Sequence, residues 1–179
     1  MGFWHPEIWK EQFRDAAVYW LLIPAGVILP GRMIDALFGL PRPPASLVLT
    51  IAALVLLAAG TWVIGKATAD FEKIGHGTPN PFRPPKILVA TGAYRWCRHP
   101  MFLGYDLAAL GVVLLCRSWS MLLVSFPLML GWQLRFLKKE EELLSRRFRE
   151  DYDDYRKQVP LLLPWPRPKA VIPPEERWS

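Results

Sequence analysis

Apolar residues in this chain fall in long blocks instead of the short stripes of a soluble domain. Residues 47–69, LVLTIAALVLLAAGTWVIGKATA, hold a single charge at Lys66, and about 20 such residues span a bilayer. A second block, residues 16–38, is broken by Pro24 and by Pro30-Gly31. The third, residues 101–137, is interrupted only at Arg117-Ser118 and, at 37 residues, is too long for one crossing. It divides into a helical hairpin, 101–116 and 119–137, joined by a tight turn. A 16-residue helix is roughly 24 Å long, under the ~30 Å hydrocarbon core, so protein should partly shield this pair. The pattern predicts an all-α integral membrane protein with about four transmembrane helices.

Beyond residue 137 the pattern changes. Leu144, Phe148, Tyr152, Tyr155 and Val159 recur at spacings of four, four, three and four, one face of a polar helix that continues from the fourth crossing. Glu140 extends that stripe by one turn, with Glu141 beside it. Pro160 and Pro164 end the helix, and the tail from 165 to 179 reads as extended. The stripe is expected to fold back against residues 70–100, which contain the turn-rich run GHGTPNPFRPP. Prolines stiffen such a loop, which then forms an ordered cover. KILVATG reads as a short extended run ending at Gly92, and Pro100 suits the first turn of a helix. The chain is organised as a single domain, residues 1–179: an N-terminal interfacial segment and two membrane helices to residue 69, a core from 70 to 164, and the tail.

Charge sets the orientation. Residues 70–100 carry five Lys or Arg and residues 138–179 carry ten, whereas the connections on the opposite side hold only Arg42 and Arg117. The positive-inside rule puts both termini and the 70–100 segment in the cytoplasm. Topology and anionic lipid then account for much of the net charge of +6, and no nucleic-acid partner is needed. The N-terminal residues mix charges and lack a cleavage site, so they read as an interfacial segment anchored by Phe3, Trp4, Trp9 and Phe13. Cys97 and Cys116 fall on opposite membrane sides, which predicts no disulfide, and His5, His76 and His99 give no metal-ligand spacing.

Chemistry concentrates at GAYRWCRHPMFLGY, residues 92–105, where Arg95, Arg98 and His99 stand at the mouth of the third membrane helix. His99, Leu103 and Asp106 share one helix face. An ionisable residue as deep as Asp106 marks a functional site or a salt bridge, with Arg135 the expected partner. Alone, the arginines are ordinary cytoplasmic flanks, and Glu140-Glu141-Glu142 is an ordinary solvated run. Together, a basic mouth and an acidic pair on the same side could enclose a ligand bearing both a cation and a carboxylate.

TGAYRWCRHPMFLG resembles a signature of the integral-membrane methyltransferases that include isoprenylcysteine carboxyl methyltransferase and the phospholipid N-methyltransferases. EEELLSRRFREDYDDYRKQVPLLLP resembles that family's second signature. The resemblance covers roughly residues 73–164 and implies S-adenosylmethionine as methyl donor, bound on the cytoplasmic side. Carried over by position, Gly92, Tyr94, Arg98, His99, Pro100, Gly104, Glu140 and Glu141 line the cofactor pocket, and Tyr152 and Tyr155 pack or cap it. Three positions depart from the family pattern: Ala93 where Pro is common, Arg149 where Gly is frequent, and Leu161 where a basic residue is common.

The implied acceptor is a membrane lipid or lipophilic small molecule: a phospholipid headgroup amine, an isoprenylcysteine carboxylate or another lipid-like nucleophile. An amine acceptor needs a base, for which Asp106 or Glu140 is the candidate; for a carboxylate, Arg135 would orient the substrate. The compact chain suggests a bacterial-type member in the inner membrane. A similar mouth occurs in nicotinamide-dependent membrane sterol reductases, and a non-enzymatic scaffold would keep the same fold. Cofactor binding separates the three.

Overall fold

The computed structural model describes residues 23–75 and 87–163, and within them every regular element is helical. In chain order these are α1 (Ile23–Leu37), α2 (Leu47–Gly75), a 3-10 turn (Gly92–Arg95), α3 (Pro100–Cys116), a π-helical turn (Met121–Ser125), α4 (Phe126–Phe148) and α5 (Glu150–Gln158). The all-α expectation therefore holds. The N-terminal anchors, the Pro-rich run of residues 76–86 and the tail from 164 lie outside the described residues.

Among the described helices, α2 is long and apolar enough to cross a membrane. Its 29 residues give roughly 43 Å of helix, more than a hydrocarbon core needs. Its last turns accordingly carry Lys66, Asp70, Glu72 and Lys73. α3 is apolar but shorter, at 17 residues. Large apolar side chains lie bare on α1 (Leu29, Met33, Leu37), α2 (Leu47, Val48, Leu54, Val55) and α4 (Leu128, Trp132). Exposed apolar side chains in such number suit a lipid surface better than water.

α2 and α3 pack through small residues. A side chain on Gly104 would meet the Gly60 carbonyl at 2.7 Å, and one on Gly111 would meet the Ala53 carbonyl at 2.6 Å. Close backbone approach through such small faces is how helices associate where lipid removes the hydrophobic drive. Val27, Val113, Met121 and Phe126 form the core between α1, α3 and the start of α4.

Three boundaries differ from expectation. α1 runs through Pro30 without breaking, and at the next position Gly31 makes room for Met121, whose backbone a Cβ there would meet at 3.1 Å. The hairpin turn is wider than Arg117-Ser118. Arg117 caps α3 in the left-handed conformation (φ 50°, ψ 56°) with its guanidinium on the Pro43 carbonyl, and a π-helical turn precedes α4. Finally, the polar C-terminal helix is two helices. The chain breaks at Arg149, whose φ of 48° and ψ of −125° lie where glycine is favoured.

The break leaves the apolar stripe intact. Tyr152 and Tyr155 form a cluster with Leu88, against which Ala90, Leu144, Phe148 and Val159 pack. The fold-back onto residues 70–100 thus follows the stripe. The segment before Gly92 does not form a strand; it meets α5 through side chains, and its last residue, Thr91, is extended.

Candidate functional site

The site is built where α3 begins and α4 leaves the apolar zone. His99 is the N-cap residue of α3 and Pro100 its first helical residue. Proline suits that position because its missing N–H would have had no helical partner. Just upstream, Gly92 takes φ +62°, and a Cβ there would collide with the Asp70 carboxylate. Asp70 accepts the Ala93 N–H at 2.8 Å and an ion pair from Lys66 at 3.0 Å. α2 thereby anchors the turn that delivers Tyr94, Arg98 and His99.

Glu141 is the hub. Arg98 grips its carboxylate with two bonds, Nε to Oε1 at 2.9 Å and Nη2 to Oε2 at 2.7 Å. His99 Nε2 lies 2.9 Å from Oε1, and the Tyr152 hydroxyl donates to the same oxygen. An ionised carboxylate only accepts, so His99 Nε2 bears a hydrogen and donates it to Glu141. Burial by itself raises the Glu141 pKa, but the bonds from His99, Tyr152 and Arg98 outweigh it and hold the group at about 2.

The remaining Arg98 donor reaches the carbonyls of Val159 at 2.7 Å and Arg156 at 3.0 Å, the end of α5. The backbone N–H groups of Arg98 and His99 donate to Pro160 and Leu161. Tyr155 donates to the Tyr94 carbonyl at 2.7 Å. Thus Arg98, Glu141, Tyr152 and Tyr155 spend their polar groups fastening α3, α4 and α5 together.

Glu140 is different. Its Oε2 is buried and accepts no hydrogen bond from the described residues, and His99 Nδ1 lies 3.8 Å away. Burial raises its pKa, His99 opposes this, and the Glu141 charge raises it further. The rest of the Glu140 side chain is partly exposed, so this covered oxygen beside an imidazole suits a ligand that brings hydroxyl or ammonium donors.

Deeper between α3 and α4, Gln133 Nε2 donates to Asp106 Oδ2 at 2.8 Å. The expected Asp106–Arg135 pair does not form. Arg135 is exposed, two positions further along α4 and off the buried face, so it is not gathered with the other candidates. Gly104 is buried against Gly60 of α2, where it permits helix contact. Pro100 is fully buried at the start of α3.

Sequence reasoning passed over Asp70, Gln133 and the carbonyls of residues 156–161. A carboxylate one turn after Lys66 at the end of an apolar helix was the available signal for Asp70. Gln133 had one in its register, seven residues before Glu140 as His99 is seven before Asp106. The carbonyls had none, because every residue type carries one. Among the described residues no group of His, Cys, Asp and Glu is arranged to hold a metal.

Comparison with known proteins bears on this region directly. The chain is 39% identical over 81 residues to the protein-S-isoprenylcysteine O-methyltransferase of Mus musculus, covering 44% of this chain and 28% of that one. It is 28% identical over 163 residues to the enzyme of that name from Schizosaccharomyces pombe, covering 84% and 69% of the two chains. A methanethiol S-methyltransferase of Mycobacterium tuberculosis is 34% identical over 73 residues, 41% of this chain and 29% of that one. The chain therefore spans about three tenths of the length of the mouse and mycobacterial relatives. No solved structure matches. The profile of the phospholipid methyltransferase family matches residues 48–151, from α2 through Arg98, His99, Glu140 and Glu141 to the start of α5, and the chain belongs to that family of membrane methyltransferases.

Proposed function

We propose that this protein is an S-adenosylmethionine-dependent methyltransferase acting on a lipophilic acceptor in the membrane, a phospholipid headgroup amine or another lipid-like nucleophile. One observation carries the reading: Glu140 Oε2 is buried beside His99 with no donor among the described residues, on a frame that the Arg98–Glu141 pair ties together. Ribose hydroxyls and an ammonium group are the donors such an oxygen lacks. Bound there, S-adenosylmethionine would supply an electrophilic methyl group.

Within this reading Glu140 and His99 touch the cofactor. Gly92, Tyr94 and Pro100 shape the wall behind them, and Arg98 and Glu141 set the separation of α3 and α4. Gly104 acts through the α2 contact. The protein's part in the chemistry is chiefly placement, since holding two reactants in line removes much of the barrier. An amine acceptor must also lose a proton, for which Asp106 and Glu140 are the bases within the α3–α4 seam. Arg135 is left without a role at the site. The reading includes about four membrane crossings, with the site and both termini on the cytoplasmic face of a bacterial inner membrane.

The named activity of several relatives favours a second reading, isoprenylcysteine carboxyl O-methylation. The test is calorimetric binding of S-adenosylmethionine to detergent-solubilised protein, followed by labelled methyl transfer to extracted lipids and to a farnesylcysteine. Micromolar binding that Glu140→Ala abolishes in a folded protein is expected. Folded wild type that binds a reduced nicotinamide, or neither ligand, would refute the reading.

A further inference from the structure

Two carboxylate oxygens between α3 and α4, Glu140 Oε2 and Asp106 Oδ1, are buried and accept no hydrogen bond from the described residues. They lie on one seam. Asp106 is seven residues past His99 on α3, and Gln133 is seven before Glu140 on α4. In antiparallel helices both steps lead two turns, roughly 10 Å, inward from the mouth. The rings of Phe102 and Phe136, with centroids 5.8 Å apart, line the stretch between.

The seam is thus polar at the mouth, aromatic along its length and polar again at its inner end. Gln133 is 8% exposed and binds Asp106 Oδ2, so it fixes the carboxylate and turns Oδ1 elsewhere. The pair leaves Oδ1 without a donor from the described residues, and an orphaned acceptor in a buried site is costly.

We propose that Asp106, positioned by Gln133, is the residue that selects the acceptor, and that it selects a lipophilic molecule whose head donates hydrogen bonds: an amine, not a carboxylate. This deepens the reading above and rests on it. An amine N–H supplies the missing donor to Oδ1. An ionised carboxylate has no proton to give and would face Asp106 with like charge. The aromatic stretch between the two polar ends accommodates the apolar portion next to that head.

The test uses the full-length protein in phosphatidylcholine nanodiscs, saturated with S-adenosylhomocysteine, with empty nanodiscs as reference. Binding of hexadecylamine and of hexadecanoate is measured by competition against a chain-brominated analogue that quenches tryptophan. Wild type should prefer the amine by about tenfold or more, the weight of a hydrogen bond to a charged group. Asp106→Asn, which keeps the oxygen that Gln133 binds, should lose that preference while its affinity for S-adenosylmethionine stays within about twofold. Asp106→Glu should restore part of the preference. Equal binding of both probes by wild type, a preference for hexadecanoate, or an unchanged preference in Asp106→Asn would each overturn the proposal. A lost preference accompanied by an equal loss of S-adenosylmethionine affinity would overturn it too, as general disruption. Failure of the parent reading looks different: wild type would then bind no S-adenosylmethionine, whatever its preference between the two probes.

Discussion

Replacing Glu141 by Gln removes one charge and almost no volume from the centre of the site. The amide can still accept at one oxygen, but its NH2 must face the Arg98 guanidinium, donor against donor. The guanidinium is then left buried without a counter-charge. Breaking one side of a buried ion pair costs about 3–5 kcal/mol. Proton linkage gives a consistent figure. The carboxyl is held at about 2 against an ordinary 4.5. A tenfold change in proton affinity is worth about 1.4 kcal/mol, so the ionised group contributes about 3 kcal/mol to the folded state. Its side chain is only 7% exposed, so solvent screens little of this.

The expected result for Glu141→Gln is a fall in Tm of roughly 6–12 °C at neutral pH, followed by near-ultraviolet circular dichroism in detergent. The pH dependence adds a second signature. A carboxylate with a depressed folded-state pKa stabilises fully above its unfolded value and loses that contribution as pH falls through the folded one. The gap between wild type and variant should therefore close between pH 4.5 and about 2. Glu142→Gln, one residue on and exposed, should leave Tm unchanged. A Glu141→Gln shift below about 2 °C, or a gap independent of pH, would refute the assignment of Glu141 as the hub.

Arg149→Gly should stabilise the protein by about 1–2 kcal/mol, because glycine adopts φ 48°, ψ −125° without the clash a Cβ brings; an unchanged or lower Tm would mean that the side chain compensates for the strain. Gly104→Ala should cost about 1–3 kcal/mol by pushing α3 off Gly60, with unaltered cofactor affinity in the folded fraction; full stability with lost affinity would make Gly104 a cofactor contact instead. Because burial and the Glu141 charge raise the Glu140 pKa, a donor-bearing ligand that needs it ionised should bind more tightly as pH rises through that value. Binding below it should release a proton, which calorimetry in buffers of different ionisation enthalpy detects; an absence of proton release there would place the ligand away from Glu140.

Much of this protein was legible in its residue pattern, because the pattern reports on solvent. An apolar block the length of α2 has few ways to fold, and proline before an apolar run starts a helix for local reasons. The stripe from Leu144 to Val159 identified the buried face of the C-terminal region although the chain breaks within it, since burial follows the face and not the continuity of the helix. The tertiary structure alone decided which charges were free. In sequence, Arg98, His99, Glu140 and Glu141 look alike, a basic cluster and an acidic one. Their difference depends on angles about the α3 and α4 axes, set by the α2–α3 glycine contact and by α5 folding over the mouth. Those contacts neutralise Arg98 against Glu141, leave Glu140 Oε2 without a hydrogen-bond donor among the described residues, and give Asp106 to Gln133 instead of Arg135. The sequence determined which residues lie near the mouth of the site, because helical period and hydropathy are local. Which of them remain available to a ligand is a property of neighbours far apart in the chain, and only the packed helices could decide it.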